Sequence, residues 1–341
     1  MMDKATFRYT VFFMILAVLL MVSILFGYSF WKPGLDVTDG RYDVGKNGIW
    51  IQHGWIGGDE WFVENDKKDR IIDFRNAERV KALATQLREH NITYVFPHLC
   101  PTSVNGVIPN VDSEQTKLFL KTFEGLNVMP WVGGVRGIQA FPEKPEWRKN
   151  FAGSIRNLLT TYPEFSGIHI NIEPSPVSSR EFLVLLDEVK SAFPEDGKKR
   201  ILSVAISSPP MLSNPFSKAN RKKDYYREVA KHCDQMVVMM YDTSIQFEKV
   251  YQYLMAKWTQ EIISWSGERD VLLGIPAYKD EGVYYHNPRV ENIENALLGI
   301  NAGLSHYATL PKNYQGISIY CEWEMEPDEW KLLEEHFQQL K

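Results

Sequence analysis

The sequence predicts an α/β fold, a (β/α)8 TIM barrel preceded by one N-terminal transmembrane helix. Three observations predict it. From about residue 48, short apolar runs alternate with amphipathic segments, and eight such pairs fit within about 290 residues, the count and size of that barrel. Tyr9–Trp31 carries no charge and is long enough to cross a bilayer, which takes about 20 residues. Neither GxGxxG nor GxxxxGK[ST] occurs, and His53-Gly-Trp-Ile-Gly-Gly58 has a different spacing, so the doubly wound open sheet lacks its nucleotide turn. The chain therefore divides into an anchor at 1–31, a linker at 32–46 and a barrel at 47–341. Pro33, Gly34, Gly40 and Gly45 mark the linker.

Lys4 and Arg8 precede the apolar run, which keeps the N-terminus cytoplasmic and places the barrel outside. Gly27 and Ser29 would suit a cleavage site, but the run is longer than a usual signal core, which favours an uncleaved anchor. The first strand is expected at Gly48–Trp55. Its helix spans 77–90, capped by Asn76, with Val80, Leu83 and Leu87 on one face. The second strand is Ile92–Phe96, followed by a helix over 113–125 that a box of Asp112 and Gln115 opens. The third strand is Val128–Val132, and the next helix carries Trp147, Phe151, Ile155 and Leu158 as its stripe.

The fourth strand is Gly167-Ile-His-Ile-Asn-Ile-Glu173, and Ser178 with Glu181 forms a capping box after it. Ile201–Ile206 and Gln235–Tyr241 are strands five and six. Phe247, Val250, Leu254, Trp258, Ile262 and Trp265 recur at helical spacing after them. Strand seven is Val271–Ile275 and strand eight Gly316–Tyr320. The last helix starts at Pro327 and buries Trp330, Leu333, Phe337 and Leu340.

Composition narrows the function. The net charge is −5 and no long Lys/Arg block occurs, which argues against nucleic acid as a partner. The three cysteines, Cys100, Cys233 and Cys321, form neither a disulfide framework nor a zinc pattern, so no metal or cofactor is expected. Ten Trp, 16 Tyr and 18 Phe suit a sugar site, where rings stack on sugar faces, although most such rings fill cores.

In a barrel both faces of every strand are covered. Ile168, Ile170 and Ile172 then pack under helices, and His169, Asn171 and Glu173 project inward. Glu173 comes last, at the C-terminal mouth where barrel enzymes keep their chemistry. His53, His98, Tyr241, Asp242, Tyr278 and Glu322 end other strands at the same mouth, and Trp131, Tyr320 and Trp323 supply rings. A carboxyl group losing solvation there should have a raised pKa, as a general acid needs for protonating a glycosidic oxygen.

On these residues the sequence resembles family 18 of the glycoside hydrolases, the chitinases and endo-β-N-acetylglucosaminidases. Their pattern D-G-x-D-x-D-x-E aligns without gaps on Ser166-Gly-Ile-His-Ile-Asn-Ile-Glu173. Gly167 and Glu173 match, while Ser166, His169 and Asn171 replace Asp. Trp131-Val-Gly-Gly134 is similar to S-x-G-G, Met239-Met-Tyr-Asp242 to M-x-Y-D, and Leu273-Gly-Ile-Pro-Ala-Tyr278 to G-x-P-x-Y. Tyr320 stands where the family has Trp, with Trp323 nearby. The resemblance covers about residues 48–340. It implies Glu173 as general acid and base, and substrate-assisted retaining hydrolysis in which the sugar's acetamido oxygen attacks. Asn171, Tyr241 and Asp242 would hold that acetamido group. His169, His98, Trp131, Tyr278, Tyr320, Trp323 and Glu322 would line the substrate site. Family 85 uses Asn-x-Glu for the same roles, so Asn171 is compatible with them. The implied partners are a cell-envelope or extracellular glycan containing N-acetylated sugars and, through residues 9–31, a lipid bilayer.

Three other readings stay open at this point. One is a sugar-binding barrel without catalysis. Another is a metal-dependent hydrolase on His53, His98, His169 and Asp242, for which no HxH or HExxH occurs. The third is a two-carboxylate retaining enzyme pairing Glu173 with Glu322 or Asp280.

Overall fold

The computed structural model describes residues 4–34, 39–174, 179–209, 211, 219–280 and 282–337. Helix α1 (Lys4–Phe30) comes first, and its Thr6–Phe30 segment is long and apolar enough to cross a membrane. Then follow β1 (Asn47–Ile51), the short helices α2 (Glu60–Glu64) and α3 (Ile71–Phe74), α4 (Ala77–Glu89), β2 (Ile92–Pro97) and α5 (Ser113–Thr122). Strands β3 (Asn127–Val128) and β4 (Trp131–Val135) precede α6 (Pro145–Thr161), β5 (Gly167–Glu173), α7 (Arg180–Ser191), β6 (Ile201–Ser207) and α8 (Ala219–His232). The chain continues through β7 (Gln235–Met239), α9 (Glu248–Trp265), β8 (Asp270–Pro276), α10 (Ile293–Leu304), β9 (Tyr314–Tyr320) and α11 (Pro327–Phe337).

Local chemistry sets the helix starts. Asn76 Oδ1 accepts from the Glu78 and Arg79 amides at the start of α4, and Asp112 accepts from the Gln115 amide at the start of α5. Gln115 does not complete a capping box. Its Nε2 donates to the Phe74 carbonyl at 2.7 Å, tying α5 to α3. The cap of α7 is Ser179, whose Oγ accepts from the Phe182 amide; Ser178 and Leu340 lie outside the described residues.

All strand pairs are parallel, in the order β3-β2-β1-β9-β8-β7-β6-β5-β4. β3 and β4 are two pieces of the third barrel strand, not the continuous Val128–Val132 expected. Pro130 has no N–H for the ladder, so the strand breaks beside it. The pieces stitch the sheet's two ends together: Leu99 N donates to Trp131 O at 2.8 Å, and Ser166 N to Val128 O at 2.9 Å. The result is a TIM-like barrel. β1 ends at Ile51, and His53–Trp55 forms a 3-10 turn instead of more strand. β7 ends at Met239, which leaves Tyr241 and Asp242 in the loop after it.

Side-chain alternation sorts two cores. Ile168, Ile170 and Ile172 join the large core between strands and helices. Each is at most 1% exposed, a burial that stabilises by about 1.5–3 kcal/mol per side chain. Trp50, Tyr94, Phe96, Met129, Trp131, Val237 and Leu272 fill the barrel interior. Cys100, Cys233 and Cys321 are free and buried.

Candidate active site

The inward side of β5 forms three levels, and each does something different. His169 is the lowest and is fully buried. The Trp50 indole N–H donates to its Nε2 at 3.1 Å, so the ring proton sits on Nδ1, 2.9 Å from Ser203 Oγ. Ser203 Oγ donates in turn to Gln235 Oε1 at 2.8 Å. Phe96 stacks on the imidazole at 4.1 Å. Burial pushes the His169 pKa down to about 3, so the ring is neutral. With its two nitrogens engaged and its faces covered, His169 belongs to the barrel floor.

Asn171 lies one level up, facing Gly133 of β4 in the strand register. Gly133 has φ of +134°, and a Cβ there would fall 1.9 Å from the Asn171 carbonyl oxygen. Only glycine allows the strands this approach and keeps side-chain bulk from facing Asn171. Asn171 Nδ2 donates to Glu173 Oε1 at 2.6 Å, while Asn171 Oδ1 is buried without a partner. The Trp131 indole nitrogen is buried and unpartnered too. An unpaired acceptor and an unpaired donor in one mouth are able to bond polar groups.

Glu173 tops the strand, exposed at the rim on one side and enclosed by protein on the other. Desolvation raises its pKa; the Asn171 amide opposes this by favouring the carboxylate, and the negative charge of Asp242 adds to it. The last turn of the barrel supplies an aromatic cluster beside it. Tyr241 stacks on Tyr320 with ring centres 5.5 Å apart, and Tyr278 and Trp323 meet Tyr320 edge-on.

Asp242 takes a left-handed conformation, φ +58°, just past β7. The Tyr278 hydroxyl donates to its Oδ1. Its pKa is raised by burial, which the Tyr278 bond and the His286 charge oppose. Two residues that sequence reasoning missed stand behind it. His286 Nδ1 lies 3.7 Å from Asp242 and 3.8 Å from Glu291, and its ring stacks on Tyr278 at 4.2 Å. Burial pulls the His286 pKa down, but the Glu291 carboxylate outweighs it and the net shift is upward. Glu291 is itself anchored, accepting from Thr243 N and Oγ1. Both residues sit in the β8–α10 connection, where no periodicity or motif marks them.

The structure thus brings Asn171, Glu173, Tyr241, Asp242, Tyr278, Tyr320, Trp323 and Trp131 to one mouth. His98 borders it, edge-on to Trp131 at 4.6 Å, and burial, then the charges of His53 and Lys67, lower its pKa to about 3. His53 stacks on Trp61 at 4.6 Å, and the two line a groove of about 490 Å³ with Glu60, Thr102 and Asn110. Glu322 is not brought to the mouth. Its 3-10 turn rotates it outward, where Trp55 Nε1 donates to it at 3.3 Å and it lines a groove with Gln86, Glu89 and His90. Burial raises its pKa to about 7. Among the described residues, no group of three or more His, Cys, Asp or Glu is arranged to hold a metal ion.

The family described as Glycosyl hydrolases family 18 matches residues 61–329. No curated protein matches the chain. Among solved structures, the spore cortex-lytic enzyme SleL of Bacillus cereus superposes with TM-score 0.55 at 13% identity, over 86% of this chain and 74% of that one. A GH18 chitinase of Pseudoalteromonas aurantia gives 0.55 at 14% identity, over 86% of this chain and 100% of that one. A chitinase of Chromobacterium violaceum gives 0.53 at 14% identity, over 75% and 94%.

Proposed function

Because the chain belongs to glycosyl hydrolase family 18, we propose that it is a membrane-anchored glycosidase that cleaves glycans containing N-acetylglucosamine. The reaction is substrate-assisted and retaining. Glu173, whose raised pKa favours the acid form, gives its proton to the glycosidic oxygen as the bond to the anomeric carbon breaks. The acetamido carbonyl oxygen of the same sugar bonds to that carbon, forming an oxazolinium ion. Glu173, now a carboxylate, takes a proton from water, and the water oxygen opens the ring with the configuration retained.

The observation that carries this reading is the divided amide of Asn171. Its Nδ2 holds Glu173, and its Oδ1 is left free to accept the acetamido N–H. Asp in the family pattern is charged; a neutral amide makes the same two contacts, and the neutral His169 below it suits a site with one less charge. Tyr241, held by Tyr320, and Asp242, held by Tyr278, complete the grip on the acetamido group. Trp131, Tyr320 and Trp323 offer ring faces to the sugar. The groove beside His53 and Trp61 extends the site toward a neighbouring sugar.

Thr6–Phe30 supports the anchor, with Lys4 and Arg8 holding the N-terminus on the cytoplasmic side and the barrel outside. Glu173→Gln tests the catalytic assignment. Release of reducing ends from N-acetylated oligosaccharides should fall by about 10²–10⁴-fold. Equal activity of mutant and parent, or a parent inactive on every N-acetylated glycan, would reject it. The replacement of two family aspartates by His169 and Asn171 favours a second reading, a barrel that binds glycan without turnover. Binding by the parent protein with no product formed would establish that one.

A further inference from the structure

We propose that the barrel's mouth faces the bilayer, with the edge formed by the β7–α9 and β8–α10 loops resting on the lipid surface. The proposal rests on the reading of α1 as a retained anchor. Helices of this barrel start at the mouth and end at the base, so positions along α9 and α10 measure height. Tyr28, near the end of α1, meets Phe247 edge-on at 6.0 Å, immediately before α9 begins. Lys249 in the first turn of α9 donates through Nζ to the Tyr28 and Ser29 carbonyls, both at 2.9 Å, satisfying the Ser29 carbonyl at the end of α1 and adding to the Trp31 N–Tyr28 O bond of 3.3 Å.

The chain then descends. Trp31 packs on Tyr253, one turn further down α9, at 5.6 Å. Gly34 lies against α10, where a Cβ would meet the Leu298 carbonyl at 2.6 Å. Asp39 O accepts from Asn301 Nδ2, and Tyr42 N donates to Asn301 Oδ1, in the last turn of α10. β1 then starts at the base. The order Phe247, Tyr253, Leu298, Asn301 runs in one direction, away from α1. Apart from Val11, the large apolar side chains of α1 from Phe7 to Phe26 are at least half exposed. The bilayer that would cover them therefore lies beyond the mouth end of α9.

The edge nearest this contact carries aromatic side chains in the open. Phe247 is 60% exposed and Tyr284 87% exposed. A tyrosine such as Tyr284, apolar in its ring and polar at its tip, is of the kind that concentrates where headgroups meet acyl chains, and Phe247 adds an apolar ring beside it. The two loops are bound together: Ser244 N donates to Tyr285 O at 2.9 Å and Asn287 Nδ2 to Gln246 Oε1 at 2.8 Å. Asp242 stands on the first of these loops, so the edge that meets lipid is also a wall of the active site. A mouth so placed takes a glycan tethered to the membrane, as on a glycolipid, in preference to a free polysaccharide.

Because the three native cysteines are buried, a single introduced cysteine can be labelled selectively. Full-length Tyr284→Cys and Glu164→Cys, the latter at the base just before β5, are labelled with a fluorophore and reconstituted in phosphatidylglycerol–phosphatidylethanolamine vesicles. Lipids with a quencher near the headgroup should extinguish the Tyr284-site label and leave the Glu164-site label bright. Equal quenching at both sites, quenching at Glu164 alone, or neither label quenched while the protein floats with the vesicles would overturn the orientation. Protein that washes off the vesicles would instead overturn the anchor on which it rests. A glycolipid ending in chitobiose should be cleaved faster in the protein's own vesicles than in separate ones; equal rates would remove the preference for tethered substrate.

Discussion

Replacing His169 by Gln tests whether the floor of the site is a buried neutral imidazole. The ring is fully buried and its pKa is lowered to about 3. In the unfolded chain it returns to about 6.5. Below pH 6.5 the unfolded state therefore binds a proton that the folded state refuses, so this contribution to stability is whole above pH 6.5 and is lost as pH falls toward 3. At pH 5 the loss covers about 1.5 pH units at about 1.36 kcal/mol each, or about 2 kcal/mol. Gln can accept from Trp50 and donate to Ser203, so the variant should fold, at a cost of about 1–3 kcal/mol at pH 7 for imperfect bonds. It has no proton to take up on acidification. His53 and His98 remain in both proteins and cancel in the comparison. Urea unfolding of the full chain in detergent, followed by circular dichroism, should show the stability gap between parent and variant narrowing by about 2 kcal/mol from pH 7 to pH 5. A gap that stays constant or widens would refute the neutral floor.

The remaining predictions concern the mouth. Activity should fall as pH rises through the raised pKa of Glu173, because the acid must be protonated. Asn171→Ala removes a bond that favours the carboxylate and should move this limb to higher pH; Asp242→Asn removes a repelling charge and should move it lower. If neither shifts the kcat/KM profile on a chromogenic chitobioside, another group is titrating. Tyr278→Phe frees Asp242 from its hydroxyl partner and should lower kcat about tenfold with little change in melting temperature. A fall in melting temperature that accounts for the lost activity would make Tyr278 structural only. Gly133→Ala drives a Cβ into the Asn171 carbonyl at positive φ and should cost about 3 kcal/mol or more, read as a lower thermal midpoint. An unchanged midpoint would mean that β4 and β5 can separate freely.

Much of the fold was legible because each element carried its own signal. The alternation Ile168-His-Ile-Asn-Ile172 has no helical reading, and Asn76 and Asp112 sit where their side chains can cap. The broken third strand was passed over in the expectation of a continuous Val128–Val132, although Pro130 carried the signal, since a proline inside a ladder removes a donor. In the site, Asn171, Glu173, Tyr241 and Asp242 could be placed because strand ends in a barrel share one face. Glu322 failed that logic. Two residues past a strand, a 3-10 turn decides the direction of the side chain, and nothing in Cys321-Glu-Trp-Glu324 foretells its sense. His286 and Glu291 were illegible for a different reason. They reach Asp242 from an irregular connection, and a contact between loops leaves no period in either.

In the proposed reaction the substrate's own acetamido group attacks while Glu173 gives and takes one proton. The most direct measurement compares chitobiose and cellobiose glycosides bearing the same leaving group, with the product anomer followed by proton NMR as it forms. Retained configuration is expected on the N-acetylated glycoside, with no measurable turnover of the 2-hydroxy analogue and a fall of about 10²–10⁴-fold in product formation from the N-acetylated glycoside in Glu173→Gln. Inversion, or cleavage of the two glycosides at similar rates, would contradict it.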